Sequence, residues 1–284
     1  MKQEATMKYY MHNGALHPVN SFHSVNPEGK TIYEVVRVIK GIPLFLEKHL
    51  DRLLSSAESI GLEIGHLMDS IKQCIYKTIE ANSMPEANLK LVVYKKDSTA
   101  EFVAYFIKST YPSTEQYMSG VPAITFNGER DNPNAKIINQ ALRDSIDSIL
   151  AEKNAYEAVL INNKGFFTEG SRSNIFVVKD HKVYTAPAES VLIGITRIYV
   201  FELCKALGID LQETPMTLEF LYNSDGAFIT GTSPKILPIS SVDGKQLKSA
   251  ENELIQRLMK AYDNMIVKYI SGEREQEAKG GLQR

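Results

Sequence analysis

The sequence predicts an α+β, barrel-like architecture in two domains rather than a doubly wound parallel sheet. The chain has 284 residues, which suits two domains better than one. Each half mixes clustered strand-like runs with segregated amphipathic helices. Between the halves, STYPSTEQYMSGVPAI carries Pro, Ser and Gly with little apolar periodicity, as a boundary does.

From the N-terminus, KYYMHN and ALHPV read as strands joined by Asn13-Gly14, a pair that tolerates the positive φ of a two-residue hairpin. SFHSVNPEGK reads as a loop, and TIYEVVRVIKGIPLFL as two more strands broken at Lys40-Gly41. In EKHLDRLLSSAESIGL, Leu46, Leu50, Leu53, Leu54, Ala57 and Ile60 recur at helical spacing, with Gly61 as the stop. That periodicity puts His49, Asp51, Arg52 and Ser56 off the apolar stripe or at its edge. A second helix over about 66–82 and strands NLKLVVYK and EFVAYFIK complete a first domain at 1–120. Residues 121–134 read as a linker and 135–284 as the second domain. There, helix QALRDSIDSILAEKN precedes strands EAVLIN, FFTEG, NIFVV and KVYTA, then a helix, a strand and a long terminal helix. The polar end, SGEREQEAKGGLQR, is expected to fray.

Composition narrows the function classes. Lys+Arg 32 against Asp+Glu 34 gives a net charge of -2, too balanced for the basic field that nucleic acid binding needs. With 43% hydrophobic and 23% charged residues, the chain can build a sizeable core. Cys74 and Cys204 lie in helical segments, one in each half, and read as reduced, buried thiols of a cytoplasmic protein. The start has no secretory pattern, and no uncharged apolar run reaches the ~18 residues of a membrane span. The six histidines form no H-E-x-x-H pair, and P-loop, G-x-G-x-x-G and G-x-S-x-G patterns are absent. A zinc site, nucleotide binding and an elbow hydrolase are therefore not indicated.

Three segments suggest chemistry, each with a plainer alternative. In LIGITRIYVFELCKAL, Gly194-Ile195-Thr196 precedes a helix whose N–H groups can hold a phosphate; an ordinary cap by Thr196 is the other reading. In FITGTSPKILPI, a strand runs into Gly231-Thr232-Ser233, either an anion-binding turn or a plain tight one. In GFFTEGSRSNIFVV, Glu169 sits between strand-like runs, where it either pairs with a cation or is simply solvated.

In order, YEVVR (33–37), HLDRL (49–53), AKIIN (135–139), TEGSRSNIF (168–176), GITR (194–197) and GTSPKILPISSVDGK (231–245) resemble the fold type IV, or class IV, pyridoxal 5′-phosphate (PLP) enzymes. That family includes branched-chain and D-amino acid aminotransferases and aminodeoxychorismate lyases, and the resemblance spans nearly the whole chain. It implies a small N-terminal α/β sandwich domain, a larger C-terminal barrel-like domain with helices, and a homodimer. By the same resemblance, Lys136 forms the covalent link to PLP and shuttles the substrate proton, and Glu169 pairs with the pyridine nitrogen. Arg52 holds the phosphate, helped by Ile195, Thr196 and Thr232. Tyr33 and Arg37 line the substrate pocket, strand alternation placing 33, 35 and 37 on one face. Thr232 and Ser233 offer N–H groups to the substrate carboxylate.

The subgroup motifs are mixed. The strand pair KLVVYKKDSTAEFVAYF lacks the Arg-x-His of D-amino acid enzymes, while Ala141 stands where branched-chain enzymes usually carry a Tyr five residues after the lysine. Asn139 follows the spacing of the D-amino acid and lyase subgroups. The resemblance favours a transaminase of branched-chain or related amino acids with a 2-oxo acid as acceptor, with aminodeoxychorismate lyase as the alternative and D-amino acid transamination also open.

Overall fold

The computed structural model describes residues 4–23, 31–130 and 133–280, with side chains to 273. The loop expected in SFHSVNPEGK falls largely on 24–30, outside the described residues. The chain divides into two compact units: Met1–Thr110, Ala135–Ile138 and Met265–Arg284 form one, and Tyr111–Asn134 with Asn139–Asn264 the other. Lys136 and the end of the chain thus belong with the N-terminal residues. The stretch 121–134, expected as a linker, contains a strand of the second unit.

The first unit contains β1 (Ala5–His12), β2 (Ala15–Pro18), β3 (Ile32–Ile39), β4 (Ile42–Pro43), α1 (Leu46–Ser59), α2 (Met68–Ala81), β5 (Ala87–Lys96) and β6 (Thr99–Ile107). They make a six-stranded antiparallel sheet in the order β2-β1-β6-β5-β3-β4. Both expected hairpins are present, with positive φ at Asn13 and Gly14 and at Lys40 and Gly41. Alternation then sorts the strands. Ile32, Val36, Val38, Leu89, Leu91 and Val93 pack with Leu46, Leu53 and Ala57 of α1 and Ile71 and Ile75 of α2. The opposite register carries Tyr33, Val92, Tyr94, Val103 and Tyr105, which cluster with Tyr10. The start of α1 departs from ordinary capping, because Phe45 is its N-cap at φ 55° with no side-chain cap bond. The buried ring packs 4.8 Å from that of Tyr269, and this packing holds the left-handed conformation.

The second unit contains α3 (Thr114–Ser119), β7 (Val121–Asn127), α4 (Gln140–Lys153), β8 (Glu157–Ile161), β9 (Phe166–Gly170), β10 (Asn174–Lys179), β11 (Lys182–Thr185) and α5 (Ile195–Ala206). These are followed by β12 (Leu211–Glu213), β13 (Met216–Thr217), α6 (Leu218–Tyr222), β14 (Gly226–Gly231), β15 (Lys235–Val242), β16 (Lys245–Gln246) and the first part of α7 (Glu253–Gly280). The ten-stranded sheet closes on itself: β10, β14, β15, β7, β8 and β9 follow one another, and β9 pairs back to β10 through Glu169 and Asn174. This is the expected barrel-like domain. Along β8, Val159 and Ile161 join the core with Phe167, Ile175 and Ile229, while the alternate residues Ala158 and Leu160 receive Ile146 of α4. The tail expected to fray from Ser271 instead continues α7 to Gly280. No helix among the described residues is long and apolar enough to cross a membrane.

Candidate active site

In the first unit, Lys136 is held by backbone bonds rather than by its own secondary structure. Tyr33 N–H donates to Lys136 O at 3.1 Å, Ile138 N–H to Thr31 O at 3.0 Å, and Ile32 and Ile137 form an isolated antiparallel bridge. Ser56 Oγ accepts the Lys136 N–H at 3.3 Å. The Lys136 ammonium nitrogen then stands 4.7 Å from the centre of the Tyr33 ring. Tyr33, Val35 and Arg37 share one face of β3, as expected, with Arg37 farther along it, opposite Asn88.

The residue between them points the other way. Glu34 is 1% exposed and meets α1, where Arg52 donates from Nε to Oε1 and from Nη2 to Oε2, both at 2.7 Å. His49 Nδ1 lies 2.7 Å from Oε2. His49, Arg52 and Ser56 recur at helical spacing and form a polar strip on one side of α1. His49 and Ser56 are buried, not at the margin, because Glu34 and the Lys136 amide give them partners inside. Burial alone would raise the Glu34 carboxyl, but the Arg52 guanidinium and the His49 ring hold it down to about 2. Burial pushes His49 below its ordinary value, the charges of Arg52 and Lys136 adding to this against the pull of Glu34.

In the second unit, Glu169 ends β9 buried rather than solvated. Arg130 Nε lies 3.0 Å from its Oε1, and Leu192 N–H donates to Oε2 at 3.1 Å. Asn174 Nδ2, 3.5 Å from the same oxygen, donates to Leu192 O at 2.7 Å. The following loop is shaped by Glu157, whose carboxylate accepts from Ser171 N–H at 3.0 Å, Ser171 Oγ at 2.6 Å and Ser173 Oγ at 2.7 Å. Arg130 Nη2 also donates to Ser171 O at 3.0 Å.

Helix α5 begins beside this carboxylate. Its N-cap is Gly194, with no side-chain cap, so the alternative in which Thr196 caps the helix is not what forms. Thr196 lies inside the first turn, its hydroxyl 3.2 Å from Tyr262 OH. Arg197 turns away, its Nη2 donating to Ala186 O and Glu213. Thr232 and Ser233 are half-buried in the turn between β14 and β15. Just before it, Thr230 pairs in register with Asn174, and its buried hydroxyl has no hydrogen-bond partner among the described residues.

In the first unit the Lys136 amine thus lies over Tyr33 while Arg52 meets Glu34 on the other face of β3, and in the second Glu169 lies near the start of α5. Glu34, His49, Arg130, Asn174 and Glu157 belong to these arrangements and were not legible beforehand. Glu34, His49 and Asn174 lie inside YEVVR, HLDRL and TEGSRSNIF, whereas Arg130 and Glu157 lie outside every motif.

Known proteins match along most of the chain. The family described as amino-transferase class IV matches residues 31–242. The D-alanine aminotransferase of Bacillus licheniformis is 32% identical over 252 residues, covering 84% of this chain and 88% of that protein. A putative branched-chain-amino-acid aminotransferase of Methanocaldococcus jannaschii is 30% identical over 261 residues, covering 85% and 88%. The branched-chain amino acid aminotransferase of Escherichia coli, a solved structure, superposes with a TM-score of 0.82 at 22% identity, covering 92% of this chain and 95% of that one. The chain belongs to the class IV aminotransferase family, a family of enzymes.

Proposed function

We propose that this enzyme moves an amino group from a branched-chain type amino acid to a 2-oxo acid in a two-stage exchange, using PLP linked through Lys136. The observation that carries the substrate class is the face around the lysine. Its amine sits over the Tyr33 ring, and Val35, half-buried on the same face of β3, offers an aliphatic surface.

The residues fit the cofactor. At Gly194 a Cβ would meet Asn174 Oδ1 at 2.2 Å, so the N-cap of α5 takes only glycine, and with no side-chain cap the N–H groups of its first turn suit a phosphate. Nearby, Glu169 is a buried carboxylate with an arginine already beside it. When bound, PLP supplies a carbon that links the substrate nitrogen and a ring that withdraws electrons from Cα.

With PLP bound, Lys136 Nζ would take the proton from the substrate Cα and hand it on within the same half of the exchange. Glu169 would pair with the ring nitrogen, and its contacts with Arg130 and Leu192 N–H keep that carboxylate oriented. Ile195 and Thr196 offer backbone N–H groups to the phosphate, and Thr232 its hydroxyl. By the family resemblance, Arg52 would hold the phosphate as well. Tyr33 and Arg37 line the side-chain pocket, and the Thr232 and Ser233 N–H groups receive the substrate carboxylate. A cytoplasmic homodimer completes the proposal, and sedimentation showing an active monomer alone would contradict it.

The D-alanine enzyme's 32% identity supports a second reading, D-amino acid transamination. Adding single amino acids to the PLP-loaded protein, without a keto acid, separates them. L-leucine, L-isoleucine or L-valine should replace the visible band of the lysine-linked cofactor with that of its amine form; conversion by D-alanine alone would select the second reading. A band unmoved by every L- and D-amino acid, with pyruvate released from aminodeoxychorismate, would replace both with the lyase.

A further inference from the structure

We infer that Glu157 is a positioning residue for Glu169: acting through Ser171 and Arg130, it sets the place of the carboxylate that would pair with the cofactor's ring nitrogen. The inference rests on the PLP reading above and adds a residue that lies outside every motif. The alternation of β8 that sends Val159 and Ile161 into the barrel core sends Glu157 inward too, at the start of the strand. There its Oε1 accepts from Ser171 N–H at 3.0 Å and from Ser171 Oγ at 2.6 Å, and its Oε2 accepts from Ser173 Oγ at 2.7 Å. The loop closes this tightly because residue 170 has no side chain: a Cβ on Gly170 would stand 2.1 Å from Ser173 Oγ and 2.9 Å from the Glu157 carboxyl. Ser171, so held, presents its carbonyl to Arg130 Nη2 at 3.0 Å, and Nε of the same guanidinium lies 3.0 Å from Glu169 Oε1. A guanidinium is one rigid plane, so its bond to Ser171 O sets the direction from which Nε meets Glu169.

A carboxylate is a costly choice for the inside of a barrel. Glu157 is 4% exposed, and its partners are the neutral N–H groups of Ala158 and Ser171 and two hydroxyls. What this acceptor of four hydrogen bonds provides is a fixed Ser171 carbonyl, and a connected chain of polar contacts carries that fixity to Glu169.

The test compares two ligands that differ only at the ring nitrogen. Equilibrium dialysis of the cofactor-free protein gives the affinities for PLP and for its deaza analogue, in which C–H replaces that nitrogen, and their ratio isolates the contact with Glu169. Glu157→Gln should lower the ratio by about 3–30-fold, the range for losing one link of such a chain, and leave the affinity for the deaza analogue within about twofold. Arg130→Gln should lower it similarly, and the double variant no further than the larger single effect. Ser173→Ala cuts only the Oε2 side of Glu157 and should leave the ratio unchanged. Should Glu157→Gln not fold, Ser171→Ala removes the shorter of the two Oε1 bonds, and its ratio should fall partway. An unchanged ratio in these Glu157 or Ser171 variants, equal weakening of both ligands, or a fall in Ser173→Ala as large as in Glu157→Gln overturns the positioning role. Wild-type protein that binds both ligands equally, or a ratio that Glu169→Gln leaves unchanged, refutes the pairing of Glu169 with the ring nitrogen and the inference with it. If the wild-type protein binds neither ligand, the PLP reading itself has failed and the inference falls too.

Discussion

Gly194→Ala is a one-carbon perturbation that probes the second unit's site. At φ −67° and ψ 143° the backbone of Gly194 is open to any residue, so alanine brings no dihedral strain. The cost is steric: the added Cβ would stand 2.2 Å from Asn174 Oδ1. Asn174 is buried and tied to Leu192 O at 2.7 Å, so moving aside breaks that bond and strands buried polar groups. These effects cost about 2 kcal/mol. Exchanging glycine for alanine at a helix N-cap adds about 1 kcal/mol. In an Asn174→Ala background only the cap contribution remains, so the double-mutant cycle should show a coupling of about 2 kcal/mol. Urea denaturation of the four cofactor-free proteins measures it. Additivity to within about 0.5 kcal/mol would refute the steric reasoning and the placement of Asn174 against the helix start.

Lys136→Ala should abolish turnover and the borohydride-reducible link to PLP in a folded protein; near-normal turnover would sink the assignment. Glu169→Gln should keep the link but lower kcat by about 10²–10³-fold, read in steady-state assays; an unchanged kcat would remove Glu169 from the chemistry. Glu34 and His49 both bind protons more weakly folded than unfolded, so both favour the fold at higher pH and lose that contribution in acid. The loss begins as pH drops below 6.5 for His49 and runs from 4.5 to about 2 for Glu34, which contributes about 3 kcal/mol above that window. Denaturation across pH should show the lower step in wild type and not in Glu34→Gln; matching profiles would exclude Glu34 as its source. Burial pushes the Cys74 and Cys204 thiols up to about 12, so a thiol reagent near neutral pH should label neither until the chain unfolds.

What was legible in the sequence was local. Asn13-Gly14 and Lys40-Gly41 specify their hairpins because a turn's dihedrals are set by the residues within it. The helical period of α1 likewise predicts which leucines pack. The same period misplaces His49 and Ser56, since a polar side chain enters the interior only when a partner waits there. Glu34 shows the limit most plainly: its partners lie 15 and 18 residues away, and nothing in YEVVR says that the inward position takes a carboxylate. Lys136 emerged only through resemblance, because among 32 basic residues no local pattern distinguishes it. Arg130 was missed for a similar reason, its role depending on how the barrel closes.

The pairing of Ala135–Ile138 with the start of β3 has a consequence for how the protein is made. The short β4 pairs only with Val38 and Ile39, so the Thr31–Tyr33 end of that strand gains its outer neighbour from the segment carrying Lys136. Residues 1–110 emerge from the ribosome before that segment does, and for this interval the Tyr33 N–H and Thr31 carbonyl face solvent on an open strand edge. A product truncated at Thr110 would keep that edge permanently and be prone to pair with its own copies. The segment that carries Lys136 is therefore also a seal on the nascent chain, and an insertion beside it would endanger yield.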